Sequence, residues 1–79
     1  MSENINQEIG ENIRNARRVM KIEGRYLSQE KLAEKCNLPL SRVKKIENGA
    51  ACYFEELYII AEVLDMKYTS LLPDRISSN

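Results

Sequence analysis

Apolar residues recur along the first quarter of the chain at Ile5, Ile9, Ile13, Ala16 and Met20, at steps of three or four positions. That spacing places one stripe on an amphipathic helix and does not suit a strand, so it predicts a first helix from about Asn4 to Lys21. The pattern breaks at Gly24 and its polar neighbours, and Ser28 then supplies a hydroxyl able to cap a new helix. Leu27 before that cap and Leu32 beyond it are spaced as a hydrophobic staple, with Ala33 and Cys36 continuing the buried side. This second helix ends near Asn37, which tolerates the left-handed backbone in which chains leave helices, and Pro39 opposes continuation. The tight turn Asn37-Leu38-Pro39 leads to a third helix from about Leu40 to Glu47. Val43 and Ile46 form its inner side, Ser41, Arg42, Lys44 and Lys45 face outward, and Asn48-Gly49 closes it.

After the loop Ala50 to Tyr53, the residues Phe54, Leu57, Ile60, Ala61 and Leu64 mark another helical face, and Met66, Tyr68, Leu71 and Leu72 suggest a brief fifth helix before Pro73. No glycine-flanked alternating run points to a hairpin, and no internal repeat is present. The expected fold is all-α with five helices. A chain of 79 residues has material for one core, so residues 1-79 are expected to form one domain, with the core over about 5-72 and a tail over 73-79.

Composition narrows the function. With 43% apolar and 30% charged residues the chain is expected to fold. It has no apolar run of membrane-spanning length and no basic-then-apolar amino terminus, so a cytoplasmic protein without membrane contact is expected. Cys36 and Cys52 are too far apart for a metal-binding pair and the chain has no histidine, so neither zinc nor a disulfide framework is signalled and both cysteines are expected to be small buried apolar residues. Without a histidine, a glycine-rich phosphate loop or a nucleophile-base set, no enzyme, cofactor or small-molecule ligand is expected.

Net charge is zero, which at first argues against a nucleic-acid partner. The distribution argues for one. Residues 14–45 carry ten bases against Glu23, Glu30 and Glu34, a local +7, while both flanks are acidic. Two short helices joined by a tight turn, the second basic and outward-facing, describe a helix-turn-helix whose second helix enters the major groove of double-stranded DNA.

The segments Leu27-Ser28-Gln29-Glu30-Lys31-Leu32-Ala33-Glu34-Lys35 and Arg42-Val43-Lys44-Lys45-Ile46-Glu47-Asn48-Gly49, at their observed separation, resemble the lambda-repressor-like or Cro-type (XRE) helix-turn-helix regulators over roughly Ile9 to Leu72. The resemblance implies a sequence-specific repressor or activator that binds a two-fold operator as a homodimer, with helices 2 and 3 as the motif, similar in size to phage Cro-type repressors and restriction-modification controllers. It implies base reading by Leu40, Ser41 and Lys45, with Arg42 and Lys44 on neighbouring faces within reach of bases or phosphates. Gln29 would meet a phosphate at a helix amino terminus, and Asn48-Gly49 would bring backbone N–H groups near another. Glu47 would pair with Arg14, Arg17 or Arg18, among which the sequence does not choose. Tyr68, Leu71, Leu72 and Ile76 are the expected dimer surface.

Three features depart from the family's pattern. Met20 to Tyr26 is a long link, so the first helix extends or a loop bulges toward DNA or a partner, which adds Arg25 and Tyr26 as backbone contacts. Pro39 replaces a polar cap, so that hydrogen bond is lost or replaced, and Pro39 is a candidate rigid first-turn residue. The loop Ala50-Ala51-Cys52-Tyr53 lacks the basic residues usual there, leaving Tyr53 as its phosphate-contact candidate. The zero net charge and this bare loop define the competing class, a protein-interaction module or antitoxin of the same fold with weak or no DNA binding.

Overall fold

The structure, a computed structural model, describes residues 4–74. Its first helix, α1, spans Ile5–Val19, and the Asn4 side chain accepts a hydrogen bond from the Gln7 N–H to cap it. It stops before the expected Lys21 because Met20 is extended and the long link forms the hairpin that the sequence pattern did not suggest. Strand β1 (Lys21–Ile22) pairs antiparallel with β2 (Arg25–Tyr26), Lys21 opposite Tyr26 and Ile22 opposite Arg25. Glu23 and Gly24 turn the chain at φ 54° and 80°, the two successive positive values that a tight hairpin turn requires. The Lys21 ammonium lies 4.8 Å from the centre of the Tyr26 ring across the strands, a cation–π contact. The link is therefore neither more helix nor an irregular bulge.

Helix α2 spans Gln29–Cys36, with the Ser28 hydroxyl accepting from the Lys31 N–H, and α3 spans Leu40–Glu47. Asn37 is left-handed at φ 58°, and the Leu38 N–H reaches back to the Ala33 carbonyl at 2.9 Å. The same closure recurs after α3, where Gly49 has φ 106° and the Ala50 N–H donates to the Lys45 carbonyl at 2.9 Å. Pro39 occupies the cap position of α3 rather than its first turn, and no side chain caps that helix. Helix α4 spans Phe54–Val63, and Asp65 at φ 59° ends it by the same device. The expected fifth helix is a single 3₁₀ turn, Tyr68–Leu71, so the described residues form four α-helices, one short hairpin and this turn.

One core joins all of these elements. Ile9 and Ile13 of α1 meet Leu27, Leu32, Ala33 and Cys36, then Val43 and Ile46 of α3, then Leu57, Ile60, Ala61 and Leu64, with Leu71 closing it. Leu27 and Leu32 are both inside this cluster, as the staple spacing requires. Phe54 departs from the expected inward face: it is 58% exposed and packs edge-on against Tyr68, with ring centres 5.1 Å apart. Ile5 is likewise exposed at the start of α1. Helices α1 and α3 cross so closely at Gly10 that a Cβ there would collide with the carbonyl oxygens of Ile46 and Glu47. That crossing fixes the orientation of α3. The Asn12 side chain donates to the Leu71 carbonyl at 2.8 Å and ties the 3₁₀ turn to the other side of α1.

Candidate nucleic-acid interface

The buried face of α3, Val43 and Ile46, sits on the core, so the helix must present Ser41, Lys44 and Lys45 to solvent, where all three are exposed. The two lysines lie in its last turn, where the helix dipole favours cations. Leu40 is half-buried and packs against the core, leaving part of its side chain at the surface. These residues form a polar and cationic ridge able to donate hydrogen bonds to acceptor-rich base edges or phosphate oxygens.

Arg42, grouped with them from sequence, is engaged elsewhere. Its Nε donates to one carboxylate oxygen of Glu56 at 2.6 Å and its Nη2 to the other at 2.8 Å, while Nη2 also donates to the Ala51 carbonyl at 2.7 Å. The guanidinium carbon lies 5.4 Å from the centre of the Tyr53 ring. The hydrogen bonds from Arg42 hold the Glu56 carboxyl below the usual carboxylate range, and Glu56 also accepts from the Tyr53 N–H at 3.0 Å at the start of α4. Glu56 is a partner that the sequence reading did not find.

A second network lies behind the ridge. Glu47 is 1% exposed and receives Arg17 in a fork, Nε to Oε2 at 2.7 Å and Nη2 to Oε1 at 3.0 Å. Arg17 also donates to the Leu27 carbonyl at 3.0 Å. Arg14 donates to the Glu47 carbonyl at 2.7 Å and to the Asn48 side chain at 3.2 Å, and its Nε lies 3.6 Å from the Glu47 carboxylate. Of the three candidates, then, Arg17 is the principal partner and Arg14 the second, while Arg18 is exposed. Burial alone would raise the Glu47 carboxyl, but the hydrogen bonds from Arg17 and Gln29 and the charges of Arg17 and Arg14 outweigh it and leave the group below its ordinary value.

The Gln29 amide nitrogen donates to Glu47 Oε1 at 2.9 Å, so part of its donor capacity is spent inside the protein. What it still offers is the second amide N–H and the open N–H groups of the first turn of α2. Arg25 is exposed on the hairpin, Asn48 is exposed beyond α3, and Tyr53 is 70% exposed over Arg42. The two cysteines lie in different settings: Cys36 is in the core, Cys52 only half-buried, and burial pushes both thiols up to about 11.

Of the expected dimer surface, Leu71 is fully buried within its own chain and has no side-chain surface to offer another. Tyr68 and Leu72 are half-buried, and Ile76 lies outside the described residues. The apolar surface at this end of the fold comes instead from α4: Phe54, Tyr58 and Ile59 are exposed, and the Tyr58 ring centre lies 6.1 Å from that of Phe54 and 6.2 Å from that of Tyr68. Among the described residues no group of acidic, cysteine or histidine side chains is arranged to hold a metal, and no helix is long and apolar enough to cross a membrane.

A family model described as helix-turn-helix matches residues 17–71, well over half of the chain. No curated protein and no solved structure matches it.

Proposed function

Because the chain belongs to the Cro-type (XRE) helix-turn-helix family of DNA-binding transcriptional regulators, we propose that it binds a two-fold operator as a homodimer and represses or activates the adjacent promoter. The observation that carries this reading is the exposed ridge of Ser41, Lys44 and Lys45 on α3 directly after the turn from α2. Laid in the major groove, Lys45 donates to guanine O6 or N7 and Ser41 to an adjacent base. The exposed part of Leu40 meets a thymine methyl. Lys44 lies beside them, within reach of a base or the groove's phosphate edge. Gln29, Asn48 and Tyr53 adjoin this helix through Glu47, its carboxyl-terminal end and Arg42, and together with Arg25 on the hairpin they set its register by phosphate contacts.

A two-fold operator calls for one self-complementary surface that sets two α3 helices about 34 Å apart. The exposed apolar surface suited to that role is Phe54, Tyr58 and Ile59 of α4, with the half-buried Tyr68 ring packed against the first two.

The test is a titration against genomic fragments, including the chain's own promoter, at several salt concentrations. Lys45→Ala should cost roughly 1–3 kcal/mol on the preferred site and relax its base preference. Retention of no fragment below about 0.1 M salt would refute operator binding. Sedimentation should show a two-chain species that Tyr58→Asp weakens, and a chain that stays monomeric with and without DNA would refute the dimer.

A further inference from the structure

Arg42 is the one arginine on the recognition helix, in its first turn. An unengaged arginine there would be expected to read guanine or grip phosphate. We infer that Arg42 is instead a positioning residue: Glu56 withdraws its charge from DNA, and the paired guanidinium becomes a strut that holds the loop after α3 and Tyr53 upon it. The inference rests on the operator-binding reading and assigns a role within that site.

The geometry is specific in three ways. The carboxylate takes two donors of the guanidinium in a fork and the Ala51 carbonyl takes a third, so three of its five N–H groups are used within the protein. Both side chains are largely shielded, Arg42 at 24% and Glu56 at 13% exposure, so the pair is screened less than a surface ion pair. Glu56 also accepts from the Tyr53 N–H while the Tyr53 ring lies over the guanidinium. The loop Ala50 to Tyr53 contains no charged residue of its own, and Arg42 with Glu56 anchors it at both Ala51 and Tyr53. Tyr53, 70% exposed, is thereby held beside the first turn of α3. Pairing also keeps a flexible cation from gripping every phosphate alike, so discrimination among sequences is left to Ser41, Lys44 and Lys45.

Two variants test this against the wild-type protein, each first shown to unfold cooperatively. Arg42→Gln/Glu56→Gln removes both charges and the strut together. In the free protein, amide exchange at Ala51 to Phe54 should accelerate at least tenfold while that of α1 is unchanged. On DNA, affinity should fall by a similar factor for all sequences, with the preferred base at every operator position and the salt slope unaltered. Glu56→Gln alone frees the arginine and should steepen the salt slope by about one unit, with tighter binding to non-operator DNA. A changed base preference in the double variant would make Arg42 a base reader, and an unchanged slope in Glu56→Gln would show that its charge was never withheld. Either result overturns the inference while operator binding by the wild type stands. Unchanged loop exchange overturns it even if no DNA is bound.

Discussion

Glu47 offers the sharpest test of how this small fold is held together. Its carboxylate, 1% exposed, is the meeting point of Arg17 from α1, Gln29 from α2 and its own helix α3. Glu47→Ala leaves the Arg17 guanidinium, 10% exposed, with only the Leu27 carbonyl as partner, and an orphaned buried charge of this kind costs about 3–5 kcal/mol. A chain of this length is stable by about 4–12 kcal/mol in total, so the alanine variant should be largely or marginally unfolded. Glu47→Gln is the finer probe. It keeps the shape and one acceptor oxygen but loses the charge-assisted part of the fork, about 1–3 kcal/mol. At roughly 4–8 °C of melting temperature per kcal/mol for a domain this small, the loss is easily read by circular dichroism.

The pH dependence supplies the sign. The native Glu47 carboxyl lies below its ordinary value, so its contribution is complete above the unfolded pKa of about 4.3 and is lost as pH falls through the lower native value. The stability gap between wild type and Glu47→Gln, measured by urea unfolding, should stay constant from pH 7 to about 5 and narrow in more acid solution. Arg17→Met/Glu47→Leu, which removes both charges, should be less destabilised than the sum of its single variants. A gap below about 0.5 kcal/mol at neutral pH, within the usual range of a surface substitution, would refute the proposed role of the network, as would a gap that does not close in acid.

Gly10→Ala should destabilise the fold by about 1–3 kcal/mol even though alanine is the better helix former by about 1 kcal/mol, because the new Cβ meets backbone of α3 rather than a flexible side chain. A more stable alanine variant in urea unfolding would mean that the α1–α3 crossing is looser than described. With both thiols raised to about 11, about one thousandth of either is thiolate at pH 8, against about a quarter of an ordinary cysteine. Alkylation of the folded protein should therefore be slow at both positions and slowest at core-buried Cys36, and a rate like that of free cysteine at either position would contradict it.

The helices were legible because each carries its own local evidence. Ser28 caps, Asn37 and Gly49 take the left-handed conformation, and the stripe of α1 repeats often enough to define a face. The hairpin was not legible, since strands of two residues show no alternation and Glu23-Gly24 is a weaker turn signal than Asn-Gly. Helical spacing also sets Phe54 in line with Leu57, Ala61 and Leu64. It carries no information about where the core ends, and the first turn of α4 extends past that limit. The choice among Arg14, Arg17 and Arg18 depended on the α1–α3 crossing, which no local pattern records.

The local +7 over residues 14–45 is where composition misled most, because it treats every base as available to DNA. In the fold, Arg17 and Arg14 turn to Glu47, Arg42 to Glu56, and Lys31 to Glu34. Two of these acids, Glu47 and Glu56, lie beyond the stretch counted, and including them reduces the cationic region to +5. The exposed bases outside these pairs fall into separate groups: Arg18, Lys21 and Arg25 around the hairpin, Lys35 on α2, and Lys44 and Lys45 on α3. Under the proposed operator binding, so few unpaired cations supply few phosphate contacts, and non-specific affinity should be low and should fall gently with salt. Under the same proposal, base preference rests on Ser41, Lys44 and Lys45. Their helix is set against α1 by the close crossing at Gly10 and by the Arg17–Glu47 fork, while the Arg42–Glu56 pair holds the loop that follows it.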